Sequence, residues 1–172
     1  NGGYIELNIG NRTNIAGKIN LFSYSNSIGI HGGSGGILNL TSNTIDMHGN
    51  IYLYGGYGST SICNDQFGSR GNAGNVYFNL LDVNNSYINF SAININEPIN
   101  GACGDDVHMG YIYVNNELWL CDSLNISNSC IISSNREIPF DANNLNYDNF
   151  TIDSAATLYL ANNCTLNITD NL

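Results

Sequence analysis

Charged side chains are scarce in this chain, and positive ones are scarcer still. Only 10% of the 172 residues are charged, against about a quarter in an average soluble protein. The cations are Arg12, Lys18, Arg70 and Arg136, and the formal net charge is −10. Because so few cations form no basic patch, the sequence predicts no binding of nucleic acid.

Long apolar runs are also missing. No stretch of roughly 18 apolar residues occurs, so the sequence predicts no membrane span. An initiator methionine and a signal peptide are absent, and the start at Asn1 indicates a processed or excised chain.

Asparagine, glycine and tyrosine take the place of charge. The chain has 32 Asn, 19 Gly and 11 Tyr, and 42% of its residues are apolar. Asparagine and glycine favour turns, tyrosine favours strands, and a chain rich in all three disfavours long helices. The apolar fraction is enough for a core, so the length and composition predict a single all-β domain over residues 1–172.

Cysteines and glycosylation sequons indicate an extracellular or cell-surface location. The chain has five cysteines, and disulfides persist in oxidising compartments. Asn-x-Ser/Thr sequons are frequent even for such a composition, which predicts covalent N-glycans. The sequons begin at Asn11, Asn39, Asn84, Asn89, Asn125, Asn149, Asn163 and Asn167.

A short glycine-led pattern recurs along the chain. Its copies are GYIEL (3–7), GKINL (17–21), GILNL (36–40), GNIYL (49–53), GNVYF (74–78) and GYIYV (110–114). The first two pairs align with an offset of 32 to 33 residues, and ELWLCDSLNIS (117–127) resembles TLYLANNCTLNIT (157–169). The pattern predicts five units of roughly 33 to 40 residues.

Each unit contains short strands with alternating apolar and polar residues, and no helical period separates them. This favours a parallel β-helix, or β-solenoid, of about five coils, in which each coil hydrogen-bonds to the last. A β-sandwich is the alternative, because several short strands also satisfy it. Long loops are predicted near 55–73, 97–109 and 131–148.

The segment GGSGGILNLTSNTIDMHGNIYLYGGYGS, which begins at Gly32, resembles the glycine-rich coils of parallel β-helix proteins at microbial surfaces. Those proteins include adhesin-like proteins and components of sheaths and fibres. The resemblance implies a β-helix with a role at the cell surface, and it implies no particular ligand.

One segment, GACGDDVHMG (101–110), resembles the Gly-Asp-Asp element of polygalacturonase-type β-helix hydrolases. That resemblance implies catalytic roles for Asp105 and Asp106, since glycosidic cleavage uses paired carboxylates. The Gly-His-Gly and Arg-x-Lys elements of those enzymes are absent. We therefore predict that the protein is not an enzyme.

The same segment is also a weak candidate for a calcium site. Asp65, Asp105, Asp106 and His108 offer suitable ligands, but the glycine-rich calcium repeat of β-roll proteins is missing. A solvent-exposed turn, in which the aspartates cap backbone N–H groups, explains the segment better. We predict no metal and no cofactor.

The cysteine spacing predicts disulfides. Cys63 and Cys103 lie in equivalent loops of consecutive predicted units, so they are expected to pair. Among Cys121, Cys130 and Cys164, pairing of Cys130 with Cys164 is favoured, and one cysteine is left over.

Aromatic residues at outward positions form the last candidate site. Stacked units would place Tyr52, Tyr77 and Tyr113 in one outer row and Trp119 and Tyr159 in another. Such rows bind sugar rings, form a subunit interface, or simply cover the sheet.

These observations favour a secreted, N-glycosylated structural protein that self-assembles into a filament, sheath or surface coat. An adhesin or carbohydrate-binding module is the alternative, and a polysaccharide-degrading enzyme is less favoured. The sequence predicts a homo-oligomer, because a solenoid without caps exposes unpaired strand edges.

Overall fold

The computed structural model describes residues 2–23, 33–56, 71–95, 109–124, 129–140, 142 and 145–171. Within them the chain forms strands and a short 3₁₀ turn at Phe90–Ala92, without an α-helix. In chain order the strands are β1 (Tyr4–Ile15), β2 (Lys18–Asn20), β3 (Ile37–Met47), β4 (Asn50–Tyr52), β5 (Val76–Leu80), β6 (Tyr87–Ile88), β7 (Ile93–Asn94), β8 (Ile112–Val114), β9 (Glu117–Leu118), β10 (Ser129–Ile132), β11 (Arg136–Ile138), β12 (Leu145–Ile152), β13 (Leu158–Leu160) and β14 (Leu166–Asn171). The prediction of an all-β fold is confirmed.

The described strands form four sheets. The first has the order β1-β3-β5-β8-β9, with β6 also beside β3, and the second has the order β2-β4-β7. The third is β10-β12-β14 and the fourth is β11-β13. Within the described residues every strand pair is parallel except β8 with β9. Because immunoglobulin-type sandwiches are antiparallel, this pairing does not fit the sandwich alternative.

Strand register in the first half confirms the predicted repeat. Tyr4 pairs with Ile37, a spacing of 33 residues, and Lys18 pairs with Asn50, a spacing of 32. The next two passes of the first sheet have spacings of 38 and 36 residues, because Leu38 pairs with Val76 and Val76 with Ile112. Each pass of the chain therefore lies beside the equivalent part of the previous one.

The repeat is shorter in the second half, where the prediction was wrong. Cys130 pairs with Phe150 at a spacing of 20 residues, and Leu145 pairs with Leu166 at 21. The loop predicted near 131–148 contains the end of β10, all of β11 and the start of β12. Parallel strands at a shorter spacing, rather than a unit with a long insertion, accommodate these residues.

A two-residue hairpin ends the first series of parallel strands. Asn115 and Asn116 have φ of 49° and 67°, as a type I′ turn requires, and asparagine tolerates this conformation. The turn reverses the chain, so Val114 pairs with Glu117 in antiparallel fashion. The predicted match of 117–127 with 157–169 is therefore wrong, since β9 belongs to the first sheet.

A column of glycines precedes the strands of the first sheet. A Cβ added to Gly36 would collide with the carbonyl oxygen of Gly3, and one on Gly74 would collide with that of Gly36. At the next pass, a Cβ on Gly110 would collide with the oxygen of Gly74. Successive passes approach too closely here for any side chain, which explains the repeated glycine of the sequence pattern.

Alternation along the strands places two apolar clusters inside. The first is formed by residues such as Leu38, Leu40, Val76 and Phe78, all fully buried. The second cluster has the members Leu120, Cys121, Cys130, Ile132, Ile138, Leu145, Tyr147 and Phe150. Trp119 packs against both clusters and so joins the two halves of the described structure.

Candidate functional site

The outer face of the first sheet carries a pair of stacked aromatic rings. Tyr77 and Tyr113 are register partners on β5 and β8. Their ring centroids are 4.7 Å apart and their planes differ by 6°. The predicted stacking of these two residues is therefore present, and its role stays a prediction.

The other predicted aromatics lie elsewhere. Tyr52 is on the second sheet, between Asn20 and Asn94, so it does not continue the Tyr77–Tyr113 stack. Trp119 is half-buried and packs against the apolar clusters, with its ring stacked on Phe90. The two predicted rows are wrong in these respects, because GNIYL belongs to the second strand of its unit while GNVYF and GYIYV belong to the first.

Tyr159 does not form a row with Trp119. It lies on β13 beside Glu137 of β11 and is 48% exposed. Since Trp119 lies inside and Tyr159 outside, the second predicted row does not exist.

Glu137 connects the aromatic face with the second half of the chain. Its carboxylate accepts a hydrogen bond from the backbone N–H of Met109 (2.8 Å) and one from the hydroxyl of Tyr111 (3.3 Å). Burial, and then the charge of Glu137, raise the pKa of Tyr111. Burial, and then Tyr77, raise the pKa of Tyr113. Both environments therefore favour the neutral form of the hydroxyl, and that of Tyr111 donates its hydrogen bond to Glu137.

Asparagine side chains bridge neighbouring strands on the outer faces. Asn79 Nδ2 donates to Asn39 Oδ1 (2.9 Å) and to Thr41 Oγ1 (3.3 Å). Asn167 Nδ2 donates to Asn146 Oδ1 (2.8 Å) in the third sheet. Such amide pairs hold adjacent passes in register.

The edge strand β1 exposes residues that are interior elsewhere. Among the described residues β1 pairs only with β3. Leu7 and Ile9 are 38% and 37% exposed, whereas Leu40, the register partner of Leu7, is fully buried. The same inward-facing position is thus exposed on β1 and buried on β3.

The edge of the second half is also open. Within the described residues β13 pairs only with β11 and β14 only with β12. Leu160 is 61% exposed, although its register partner Ile138 is fully buried. Both edges therefore expose apolar positions together with a row of backbone hydrogen-bonding groups.

A buried ion pair and a disulfide hold the start of the second half. Arg136 is only 2% exposed and donates to Asp122 Oδ1 (3.1 Å), to the carbonyl oxygen of Leu120 (3.2 Å) and to Ser134 Oγ (2.6 Å). Burial lowers the pKa of Arg136, and the Asp122 charge counteracts that effect. Charge pairing makes burial of the guanidinium possible.

The disulfide links Cys121 with Cys130. The favoured pairing of Cys130 with Cys164 is wrong: Cys164 is a free, half-buried thiol. The backbone N–H of Asp122 donates to the carbonyl oxygen of Ile131 (2.9 Å), so the segment that carries Cys121 lies beside β10, which carries Cys130. The predicted Cys63–Cys103 pair lies outside the described residues.

The described sequons differ in how accessible their asparagines are. Asn11, Asn84, Asn163 and Asn167 are exposed. Asn39, Asn89 and Asn149 are half-buried. Asn125 lies outside the described residues, and glycan occupancy remains a prediction for every site.

The candidate catalytic and metal residues Asp65, Asp105, Asp106 and His108 lie outside the described residues, as does His31. His48 is described: its Nε2 is 3.0 Å from Asp46, which also pairs with Arg12. Within the described part of the chain, no three His, Cys, Asp or Glu residues are grouped closely enough to hold a metal ion. No helix there is long and apolar enough to span a membrane.

Stability is expected to fall at alkaline pH because of Tyr147. Burial raises the pKa of its hydroxyl above the usual value of 10, so the unfolded chain ionises first. The stabilisation that the buried neutral hydroxyl of Tyr147 contributes is complete below about pH 10, and it is lost as the pH rises further. We expect Tyr147→Phe to have a shallower fall in melting temperature between about pH 9 and 11 than the wild type. The control Tyr159→Phe, at an exposed position, should keep the wild-type slope; equal slopes for all three proteins would contradict the prediction.

Comparison with family models, with curated proteins and with solved structures found no match. The resemblance to β-helix surface proteins therefore rests on the sequence pattern alone.

Proposed function

We propose that this chain is a secreted, N-glycosylated structural protein. Its body is a parallel β-solenoid whose subunits assemble through their open strand edges into an extracellular filament, sheath or surface coat. The observation that carries the proposal is the exposure of interior positions at the edges. Leu7 is 38% exposed, although the equivalent Leu40 is fully buried.

A further strand would bury the apolar positions that the edges expose. Leu7 and Ile9 on β1 and Leu160 on β13 are apolar and exposed, and a further strand would cover them and pair their backbone groups. Natural edges are usually blocked by charges or covered. With only 10% of the chain charged, few residues can block them, which favours pairing with a second copy.

The disulfide supports an extracellular location. Both Cys121 and Cys130 are 1% exposed, so the bond is built into the second apolar cluster. Disulfides of this structural kind persist where the environment is oxidising.

The sugar-binding alternative is less well supported. In the Tyr77–Tyr113 stack the two facing ring surfaces cover one another. Tyr52, Trp119 and Tyr159 do not extend the stack, so a free polysaccharide would not find the row of open ring faces that a sugar platform requires. Asp105 and Asp106, which the enzyme alternative needs, lie outside the described residues. We therefore do not propose either activity.

The test compares assembly of the wild type with that of edge variants. We expect light scattering and negative-stain microscopy to show concentration-dependent oligomers or filaments of the wild type. Leu160→Lys should raise the concentration required at least tenfold, because a lysine at this inward position would be buried at the contact. Tyr159→Lys changes the neighbouring outward position and should assemble normally.

Both variants must first show wild-type circular dichroism and melting, which separates assembly from folding. A wild type that stays monomeric up to about 1 mM, the limit of a contact worth about 4 kcal/mol, would contradict the proposal. Equal assembly of the two lysine variants would show that the edge is not the contact.

A further inference from the structure

One sequon lies directly beside the aromatic stack. Asn39 on β3 is the register partner of Tyr77 on β5, and both side chains are on the outer face of the first sheet. Register partners on adjacent strands have Cβ atoms about 5 Å apart. Tyr113 covers one face of the Tyr77 ring from the next strand. The opposite ring face is therefore turned toward the strand that carries Asn39.

The amide of Asn39 is held in a way that is compatible with glycosylation. Its Oδ1 accepts a hydrogen bond from Asn79 Nδ2 (2.9 Å). Within the described structure no group accepts a hydrogen bond from Asn39 Nδ2, the atom to which a glycan is attached. Glycosylation leaves the carbonyl oxygen intact, so the bond to Asn79 would survive it.

A second sequon on an outer strand face lacks this arrangement. Asn167 uses its Nδ2 to donate to Asn146 Oδ1 (2.8 Å), and its strand neighbour in register is that same Asn146. A sugar attached to Asn167 would be bonded to a nitrogen that already donates a hydrogen bond. Its neighbour on the next strand would be the amide of Asn146 and not an aromatic ring. Asn39 combines an unoccupied nitrogen with an aromatic neighbour.

We propose that Asn39 carries an N-glycan whose first N-acetylglucosamine packs on the face of Tyr77 that Tyr113 does not cover, and so extends the Tyr77–Tyr113 stack by one ring. The donor would be a lipid-linked oligosaccharide of the secretory pathway. The Asn39 amide nitrogen forms a bond to the anomeric carbon, and the bond from that carbon to the lipid pyrophosphate breaks. The pyrophosphate leaves with the electron pair, and the amide proton passes to a base of the transferase.

The apolar face of a sugar ring contacts aromatic rings favourably, and burial of the Tyr77 face adds to the gain. The row on the outer face would then run from the sugar through Tyr77 to Tyr113. This inference rests on the proposed function, since it requires a secreted glycoprotein.

The first measurement is glycopeptide mass spectrometry of the full chain secreted from a eukaryotic cell line. We expect the peptide containing Asn39 to carry a glycan. If Asn39 is bare while other sequons are occupied, this inference fails and the proposed glycoprotein stands. If no sequon is occupied, the glycoprotein part of the proposed function fails as well.

The second measurement is a double-mutant cycle between Asn39→Gln and Tyr77→Leu. It is made on the secreted glycosylated protein and again on the protein produced with glycosylation blocked. We expect a coupling of about 2–4 °C in melting temperature that is present only in the glycosylated form. The matched aromatic control, Tyr52→Leu on the second sheet, should show no coupling with Asn39→Gln. Equal coupling in both forms of the protein would overturn the packing of the sugar on Tyr77.

Discussion

Replacing Gly74 with alanine is expected to destabilise the first parallel sheet by about 3 kcal/mol or more. Its Cβ would collide with the carbonyl oxygen of Gly36 and would lie 2.9 Å from the carbonyl carbon of Gly35. Both are backbone atoms, so no side-chain rotation relieves the collision. The strands β3 and β5, which this glycine adjoins, would have to separate. Thermal unfolding followed by circular dichroism measures the effect.

Gly10 provides the matched control for this prediction. A Cβ added there has no heavy atom within 4 Å, because Gly10 lies on the open edge strand β1. We expect Gly10→Ala to change stability by no more than about 0.5 kcal/mol. Similar melting temperatures for the two variants would show that close approach in the glycine column does not limit stability.

Replacing Arg136 with alanine is the second change with a large expected effect. The guanidinium is 2% exposed and its partner Asp122 is 19% exposed, so the variant leaves a poorly solvated carboxylate without its cation. The carbonyl oxygen of Leu120 loses its donor as well. Breaking a buried pair from one side costs about 3–5 kcal/mol. Chemical denaturation under conditions that keep the Cys121–Cys130 bond intact measures this loss.

Arg12 is the matched control for Arg136. It also pairs with an aspartate, Asp46, but its side chain is 64% exposed. Exposed ion pairs contribute about 1 kcal/mol or less, so Arg12→Ala should leave the midpoint nearly unchanged. If both variants lose the same free energy of unfolding, burial does not determine how much the Arg136–Asp122 pair contributes to stability.

Sequence reasoning predicted the first half of the fold better than the second. In the first half the glycine-led pattern repeats with little change, and the pairing of Tyr4 with Ile37 has the predicted offset. In the second half the strands lack that glycine, and SCII, REI and LNYDNFTI share no motif. The Asn115–Asn116 turn was the missed signal. Two adjacent asparagines between strand-forming residues favour a type I′ hairpin.

The candidate site was predicted only in part. Alternation along a strand correctly placed Tyr77 and Tyr113 outside, and their stacking followed from the register. The same reasoning misplaced Tyr52, because GNIYL looks like GNVYF although it belongs to another sheet. Arg136 was not singled out at all. A lone arginine in a low-charge sequence carries no local signal that its partner is Asp122.

By itself, the sequence determined the class of secondary structure and the face on which each side chain of the regular strands lies. Both follow from local chemistry: β-branched and aromatic residues in alternation form strands, and glycine is required where passes of the chain touch. Only the tertiary structure decided the shorter repeat of the second half, the partners of the described cysteines and the partner of Arg136. Parallel pairing joins residues 20 to 42 positions apart. Connecting loops can differ in length while equivalent residues stay paired, as the spacings of 33, 38 and 36 residues in the first sheet show. No local pattern therefore records which distant residues become partners.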